Sequence, residues 1–292
     1  MAEAATTTAP RFNPGLDLLR KASRHGLVLT GGGIILLLAF VAVFGAALAP
    51  HDPLKMDFAV RFAPPSWTHL FGTDDFGRDV FSRVLYGAAV SFQVAFIAVG
   101  ISGVAGVTLG VLAGYLGGWI DEIIMRVMDV LFAFPAVLLA ITVMAILGRG
   151  VENAMIAIAI VYAPIFARVT RGAVISVRDR EFVTAARALG QRQALIMLRH
   201  VLPNALGPII VQTSLSLAFA ILAEAALSFF GLGTQPPDPS WGRMLSEGRG
   251  FLRQAPWMGI FPGLAIMVSV LGFNLLGDGL RDVLDPRFRG RR

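Results

Sequence analysis

Residues 27–49 form a run of 23 positions without a single charged side chain. As a helix rising 1.5 Å per residue, such a run reaches roughly 35 Å, more than the ~30 Å hydrocarbon core of a bilayer. Five further apolar stretches follow. Residues 84–120 are charge-free and longer than one crossing requires, so a helix is expected inside them at about 88–113. Residues 130–148 and 154–167 come next, the latter short enough that its helix has to extend past Arg168. Residues 206–231 are interrupted only by Glu224, and residues 256–277 complete the set. A helix buried in a water-soluble core keeps one polar face. These stretches have none, so the chain is read as an all-α polytopic membrane protein with six transmembrane helices.

Composition agrees. Charged residues are 15% of the chain, against about 25% in soluble domains, and the 55% hydrophobic content excludes a disordered chain. With no cysteine there is no disulfide framework, thiolate metal site or cysteine nucleophile. Arg20, Lys21 and Arg24 precede the first stretch, and Ala47-Leu48-Ala49 resembles a cleavage site. The apolar run nevertheless far exceeds the roughly 7–15 residues of a signal-peptide core, so it is read as a retained anchor.

The net charge of +6 rests on arginine, since Lys21 and Lys55 are the only lysines. The arginines lie between apolar blocks, which points to membrane orientation and not to nucleic acid. With both termini cytoplasmic, that side carries Arg11, Arg20, Lys21, Arg24, Arg126, the seven arginines 168, 171, 178, 180, 187, 192 and 199, and the five arginines 281, 287, 289, 291 and 292. The other side holds Lys55, Arg61, Arg78, Arg83, Arg149, Arg243, Arg249 and Arg253. The excess sets the termini inside. The chain then divides into a cytoplasmic tail (1–25), a first helix with an ordered outer loop (26–87), a main helical domain (88–281) and a basic cytoplasmic tail (282–292). Residues 232–255 form a second sizeable outer loop. No internal repeat at a fixed period is present.

Several sources of chemistry are excluded. Neither lysine follows a glycine, so no P-loop can cradle ATP phosphates. The four histidines (His25, His51, His69, His200) are scattered along the chain, without the His-Glu-x-x-His spacing of a zinc site, and no Gly-x-Ser-x-Gly elbow exists. Catalysis is not expected, and no metal or cofactor is assigned to this chain. Ionisable groups near the bilayer midplane mark ion-coupled carriers. Only Glu224 stands well inside a stretch, and either structural pairing or a pathway lining satisfies it.

The segment between the fourth and fifth stretches combines arginines with Phe182, Val183, Leu189, Leu195, Ile196, Met197 and Leu198. An apolar patch rimmed by charge points to a protein-docking surface; the alternative is an ordinary arginine-rich cytoplasmic loop placed there by the orientation rule. Gly190 can end its first helix without steric penalty, and Pro203 can open the next. Ala185-Ala186, then Gly190, then Leu202-Pro203 resembles the EAA loop of ABC-importer permeases. The resemblance implies a coupling helix seated on a separate ATPase subunit, with Ala185, Ala186, Gly190, Leu202 and Pro203 at the matching positions. Thr184 stands where that loop usually has glutamate and His200 where isoleucine is common, which leaves Glu181 as the acidic candidate.

Three further segments, His69-Leu-Phe-Gly-Thr-Asp-Asp-Phe-Gly-Arg-Asp79, Pro239-Ser-Trp-Gly242 and Asn274-Leu-Leu-Gly-Asp-Gly-Leu-Arg-Asp282, resemble the C-type subunit of dipeptide/oligopeptide/nickel importer permeases. So does Leu227-Ser-Phe-Phe-Gly231-Leu-Gly233. This resemblance implies an ABC type-1 importer permease fold, forming half of a heterodimeric pathway in the bacterial inner membrane. It implies a second homologous permease chain, two ATPase subunits carrying ATP and Mg, and an extracytoplasmic solute-binding protein. Peptides are the expected solute, nickel or another small solute the alternative. The rival class is an autonomous secondary transporter or channel. Gly100, Gly103, Gly106, Gly110 and Gly114 are expected to allow close helix packing within the chain, and Pro135, Pro164, Pro208 and Pro262 to permit bends.

Overall fold

The computed structural model describes residues 22–284; most of both expected tails lies outside the described residues. Its helices are α1 (Gly26–Leu48), α2 (Val80–Leu116), α3 (Gly118–Phe132), α4 (Ala136–Leu147), α5 (Val151–Arg178), α6 (Glu181–Ala188), α7 (Gln193–Phe229), α8 (Trp241–Gly248) and α9 (Trp257–Leu284). Short 3₁₀ turns occur at Phe58–Val60 and Arg249–Phe251. Among the described residues the only strand pairing is one isolated bridge, Thr73 to Asp79.

Five helices, α1, α2, α5, α7 and α9, are long and apolar enough to cross a membrane singly. The expected straight helix over 130–148 is instead a pair, α3 and α4, bent by 93° at residues 133–135, which makes a sixth span only when the two are taken together. The cause is Pro135, the N-cap of α4. It lacks the N–H a continuing helix would use, and its ring drives Phe134 out of helical backbone geometry. α4 has 12 residues, about 18 Å of helix, too short to cross alone.

α2, α5, α7 and α9 extend beyond their apolar stretches at one end or both. α2 begins at Val80 and α5 runs through Arg168 and Arg171 to Arg178. Arginine inside α5 is held by acids of α3. Arg171 makes a two-pronged pair with Asp121 at 2.5 and 2.6 Å, and Arg168 Nη2 donates to Asp129 at 2.7 Å while covering the Phe132 ring.

α1 is nearly bare: only Gly31 and Gly45 are buried, whereas Leu36, Leu37 and Val43 are strongly exposed. A charge-free helix showing that much apolar surface is stable only against lipid. It touches the bundle where side chains are missing. A Cβ on Gly31 would sit 2.5 Å from the Leu276 nitrogen, and one on Gly279 2.7 Å from Val28.

The main packing seam joins α2 to α5. Cβ atoms on Gly106 and Gly110 would lie 2.5 Å from the carbonyl oxygens of Ala163 and Ala167, and one on Gly114 2.9 Å from that of Arg171. The expected close approach within the chain is therefore found at these three positions. Gly103 makes only ordinary contact with Phe166, and Gly100 faces open space.

Residues 49–79 close one end of the bundle as the expected ordered cap. Asp74 pairs with Arg78 (2.6 Å), and Glu247 on α8 receives Arg83 (2.9 Å), Arg78 (3.3 Å) and Arg243 (2.9 Å). Trp257 Nε1 donates to Thr73 O at 2.9 Å, and Phe71 stacks on Phe261 at 3.7 Å. Burial, and then the neighbouring Asp74 charge, pushes the Asp75 carboxyl above its ordinary range.

Gly106→Ala and Gly110→Ala should each lower stability by about 1–3 kcal/mol through overpacking. Gly100→Ala should be neutral or slightly stabilising, because alanine favours the helix and meets nothing there. Thermal unfolding midpoints of the detergent-solubilised variants check this ordering.

Candidate functional site

The arginine-rich segment between α5 and α7 lies at the end of the bundle opposite the cap. It is an ordered helix–turn–helix. Glu181 occupies the first turn of α6, where a carboxylate meets the positive end of the helix dipole. At the other end the chain reverses at Gly190, whose φ is +71°. Gly190 N–H bonds to Arg187 O at 2.9 Å and Gln191 N–H to Ala186 O at 3.2 Å. This paired closure needs a left-handed residue. A Cβ on Gly190 would meet nothing within 4 Å, so backbone conformation and not space demands glycine.

Pro203 falls in the first turn of the α-helical part of α7, Leu202–Phe229, as expected. The coil itself starts earlier. A short piece, Gln193–Ile196, and a π turn, Met197–Val201, run directly into it. The π turn shifts bonding by one residue, with Leu202 N–H reaching Met197 O, which makes room for a proline that would clash with a regular preceding turn. Asn204 Nδ2 donates to His200 O at 2.7 Å across the same turn.

Burial divides the apolar residues of this segment. Val183 and Ile196 are wholly enclosed at 0% exposure, and Ala186 is buried beside them. With Val201 and Ala205 they pack on Val111 and Tyr115 of α2 and Val174 and Val177 of α5. Arg187 clamps the seat: its Nε donates to Tyr115 Oη at 3.3 Å and its guanidinium covers that ring. Arg178 Nη1 donates to Gly114 O at 2.8 Å.

Phe182, Leu189, Leu195 and Leu198 point the other way, with Leu189 at 80% and Leu198 at 65% exposure. Arg180, Arg192 and Arg199 surround them, all exposed. The structure thus resolves one apolar patch into an inner half that anchors and an outer half left open.

Glu181, Thr184 and Ala185 share the exposed side of α6, and Gly190 is exposed at its end. Ala186 faces inward. Leu202 is half-buried and Pro203 exposed, both beyond the π turn and apart from α6. Glu224 belongs to a different region. It is 1% exposed and accepts hydrogen bonds from Ser91 Oγ (2.9 Å) and Ser228 Oγ (2.7 Å). Its neighbours Ala223, Ala226 and Leu227 line an apolar cleft of about 390 Å³ between α4, α5 and α7, whereas Glu224 does not. Sequence reading missed the Arg187–Tyr115 clamp. No spacing rule joins residues so far apart, and an aromatic at the end of a span carries no signal of its own.

Residues 106–290 match the family of binding-protein-dependent transport system inner membrane components, and residues 13–65 match the N-terminal TM domain of oligopeptide transport permease C. The dipeptide transport system permease protein DppC of Alkalihalophilus pseudofirmus is 48% identical over 277 residues, covering 95% of this chain and 91% of that protein. The glutathione transport system permease protein GsiD of Escherichia coli O6:K15:H31 is 45% identical over 278 residues, covering 95% and 92%. Among solved structures, an inward-facing conformation of the MetNI methionine ABC transporter has a similar fold. Its TM-score is 0.57 at 17% identity, over 69% of this chain and 96% of that one.

Ala186→Asp should destabilise by at least ~2 kcal/mol, because a carboxylate would enter the sealed seat. Leu189→Glu and Leu198→Glu should stay within about 0.5 kcal/mol of the parent, since both side chains already stand in the open. Gly190→Ala should cost about 1–2 kcal/mol through its left-handed backbone, and Gly190→Asn less. Unfolding midpoints of the five variants separate anchor from rim.

Proposed function

Because the chain belongs to the family of binding-protein-dependent transport system inner membrane components, we propose that it serves an ATP-driven importer as one half of the pathway for di- or oligopeptides. The similarity to dipeptide and glutathione permeases supports peptides as the solute class. A second, homologous permease chain supplies the other half, and a solute-binding protein delivers cargo on the cap side. Both termini and α6 face the cytoplasm, in keeping with the arginine excess at that end. Two separate ATPase subunits bind ATP and Mg, and this chain hydrolyses nothing.

The observation that carries this reading is the two-sided build of 181–198. Its inner face is locked onto α2 and α5, and its outer face offers Phe182, Leu189, Leu195 and Leu198 within a rim of arginines. An apolar surface of that kind, held on a rigid seat, fits a groove on a soluble partner. A nucleotide-driven movement of that partner then acts on the whole bundle and shifts it between inward- and outward-open states.

The test is the complete assembly in liposomes, assayed for uptake of a labelled dipeptide. Leu189→Glu combined with Leu198→Glu should leave membrane insertion and folding intact. It should release the ATPase subunits on purification and cut uptake at least tenfold. Full uptake by the double variant would overturn the docking assignment. Uptake by this chain alone, driven by an ion gradient, would replace the whole reading with a secondary transporter.

A further inference from the structure

The histidines that look scattered in the sequence are not all scattered in space. His51 follows the end of α1, His69 sits in a turn of the cap, and Asp79 caps the N-terminus of α2. One ring nitrogen of each histidine and an oxygen of Asp79 all lie within 4.8 Å of one another. His69 Nδ1 is 2.9 Å from Asp79 Oδ1, and His51 Nδ1 is 3.7 Å from Asp79 Oδ2. We propose that these three residues hold one divalent transition-metal ion, with Zn²⁺ the best fit, that staples the cap to the ends of α1 and α2.

Hydrogen bonding accounts for only half of this cluster. The His69–Asp79 distance is a normal hydrogen bond, but 3.7 Å leaves His51 outside that range. The two imidazoles lie face to face, 4.8 Å between centroids and 31° apart, with both Nδ1 atoms turned to one carboxylate. Tetrahedral zinc with bonds of ~2.1 Å separates its ligand atoms by about 3.4 Å, and the three ligand atoms here lie within 4.8 Å of one another, with His69 Nδ1 and Asp79 Oδ1 at 2.9 Å.

The surroundings are built to hold the ligands. Asp79 Oδ2 accepts from Ser82 N–H (2.8 Å) and Ser82 Oγ–H (2.7 Å), which fixes the carboxylate and leaves Oδ1 toward the His69 ring. The same Ser82 Oγ accepts the His51 backbone N–H at 3.2 Å. His69 N–H donates to Ser66 Oγ (3.1 Å), and its carbonyl accepts from Ser66 and Gly72 (2.9 Å each). Outer-shell bonds of this kind orient metal ligands. Asp79 is buried while the His51 side chain is 41% exposed, so an ion has a way in. Two imidazoles and one carboxylate select zinc, nickel or copper over calcium and magnesium, which take oxygen ligands throughout. Three protein ligands leave the fourth position to water.

The experiment uses the full-length, untagged chain in detergent together with the subunits that co-purify. It is equilibrated with zinc at about 1 µM free concentration and compared with His51→Gln, His69→Gln and a control, His25→Ala. The parent and the control should each hold one zinc per chain more than either glutamine variant. Affinity should fall at least tenfold in both variants, and zinc should raise the unfolding midpoint of the parent and control alone. Zinc-edge X-ray absorption should show two imidazoles with oxygen ligands. His51→Gln alters the most exposed ligand, so it tests binding even if His69→Gln fails to fold. Equal zinc in the parent and His51→Gln, or no zinc-dependent rise in the parent's midpoint, would overturn the site. Neither result bears on peptide uptake.

Discussion

The carbonyl ridge of α5 lying directly on the glycine row of α2 sets the geometry of everything around it. Gly106, Gly110 and Gly114 face the carbonyl oxygens of Ala163, Ala167 and Arg171, four residues apart on both helices. Lipid tails are as apolar as leucine, so burial of apolar surface does not pull two helices together in a bilayer; shape does. Here the absence of three side chains lets two backbones run side by side for two full turns. The turns that follow carry Val111, Tyr115, Val174 and Val177, the floor on which α6 rests. A side chain in the glycine row would separate those floor residues. The 181–198 segment therefore depends on helix packing inside the bundle, although it lies at the surface.

The charges respect the same division. Among the described residues, the acids and arginines inside the helical segments gather toward their ends, where partners await them. Asp121 and Asp129 on α3 take Arg171 and Arg168 of α5, and the bend at Pro135 lets α3 lie across α5 so that these pairs form. These two carboxylates stand beside two arginines that would otherwise be left unpaired within a helix that spans the membrane. At the cap end, Glu247 gathers Arg78, Arg83 and Arg243 in the same manner.

How much of this was legible follows from the physics of each signal. Spans were readable because absence of charge over 20 residues has one stable solution. Their ends were not, because arginine at a span end is tolerated once an acid on another helix meets it, and no local pattern reveals that acid. The helix end at Gly190 was readable because a left-handed residue has few alternatives. The start of α7 was not. Pro203 is a strong local start signal, but the π turn at Met197–Val201 carries the coil straight through it. The apolar patch of 181–198 was visible as composition, yet its division into anchor and rim needed the positions of α2 and α5. His51 and His69 were both seen to lie outside the spans, but their meeting at Asp79 depends on the path of the cap between them.

α7 joins the two ends in one continuous coil. Its 37 residues extend about 55 Å, from Gln193 beside the docking helix to Phe229 under the cap. Only four residues, 189–192, separate it from α6, and His200 Nε2 reaches back to Gln191 Oε1 at 3.0 Å. Its N-terminal half holds the π turn, Pro203 and Pro208, each of which interrupts the regular hydrogen-bond ladder. Its far third is stiff. There Glu224 is enclosed with Ser91 and Ser228, and a Cβ on Gly242 of α8 would collide with the Ala225 backbone at 2.3 Å. A carboxylate sealed among hydroxyls cannot slide without losing those bonds, and each loss leaves a buried polar group unsatisfied.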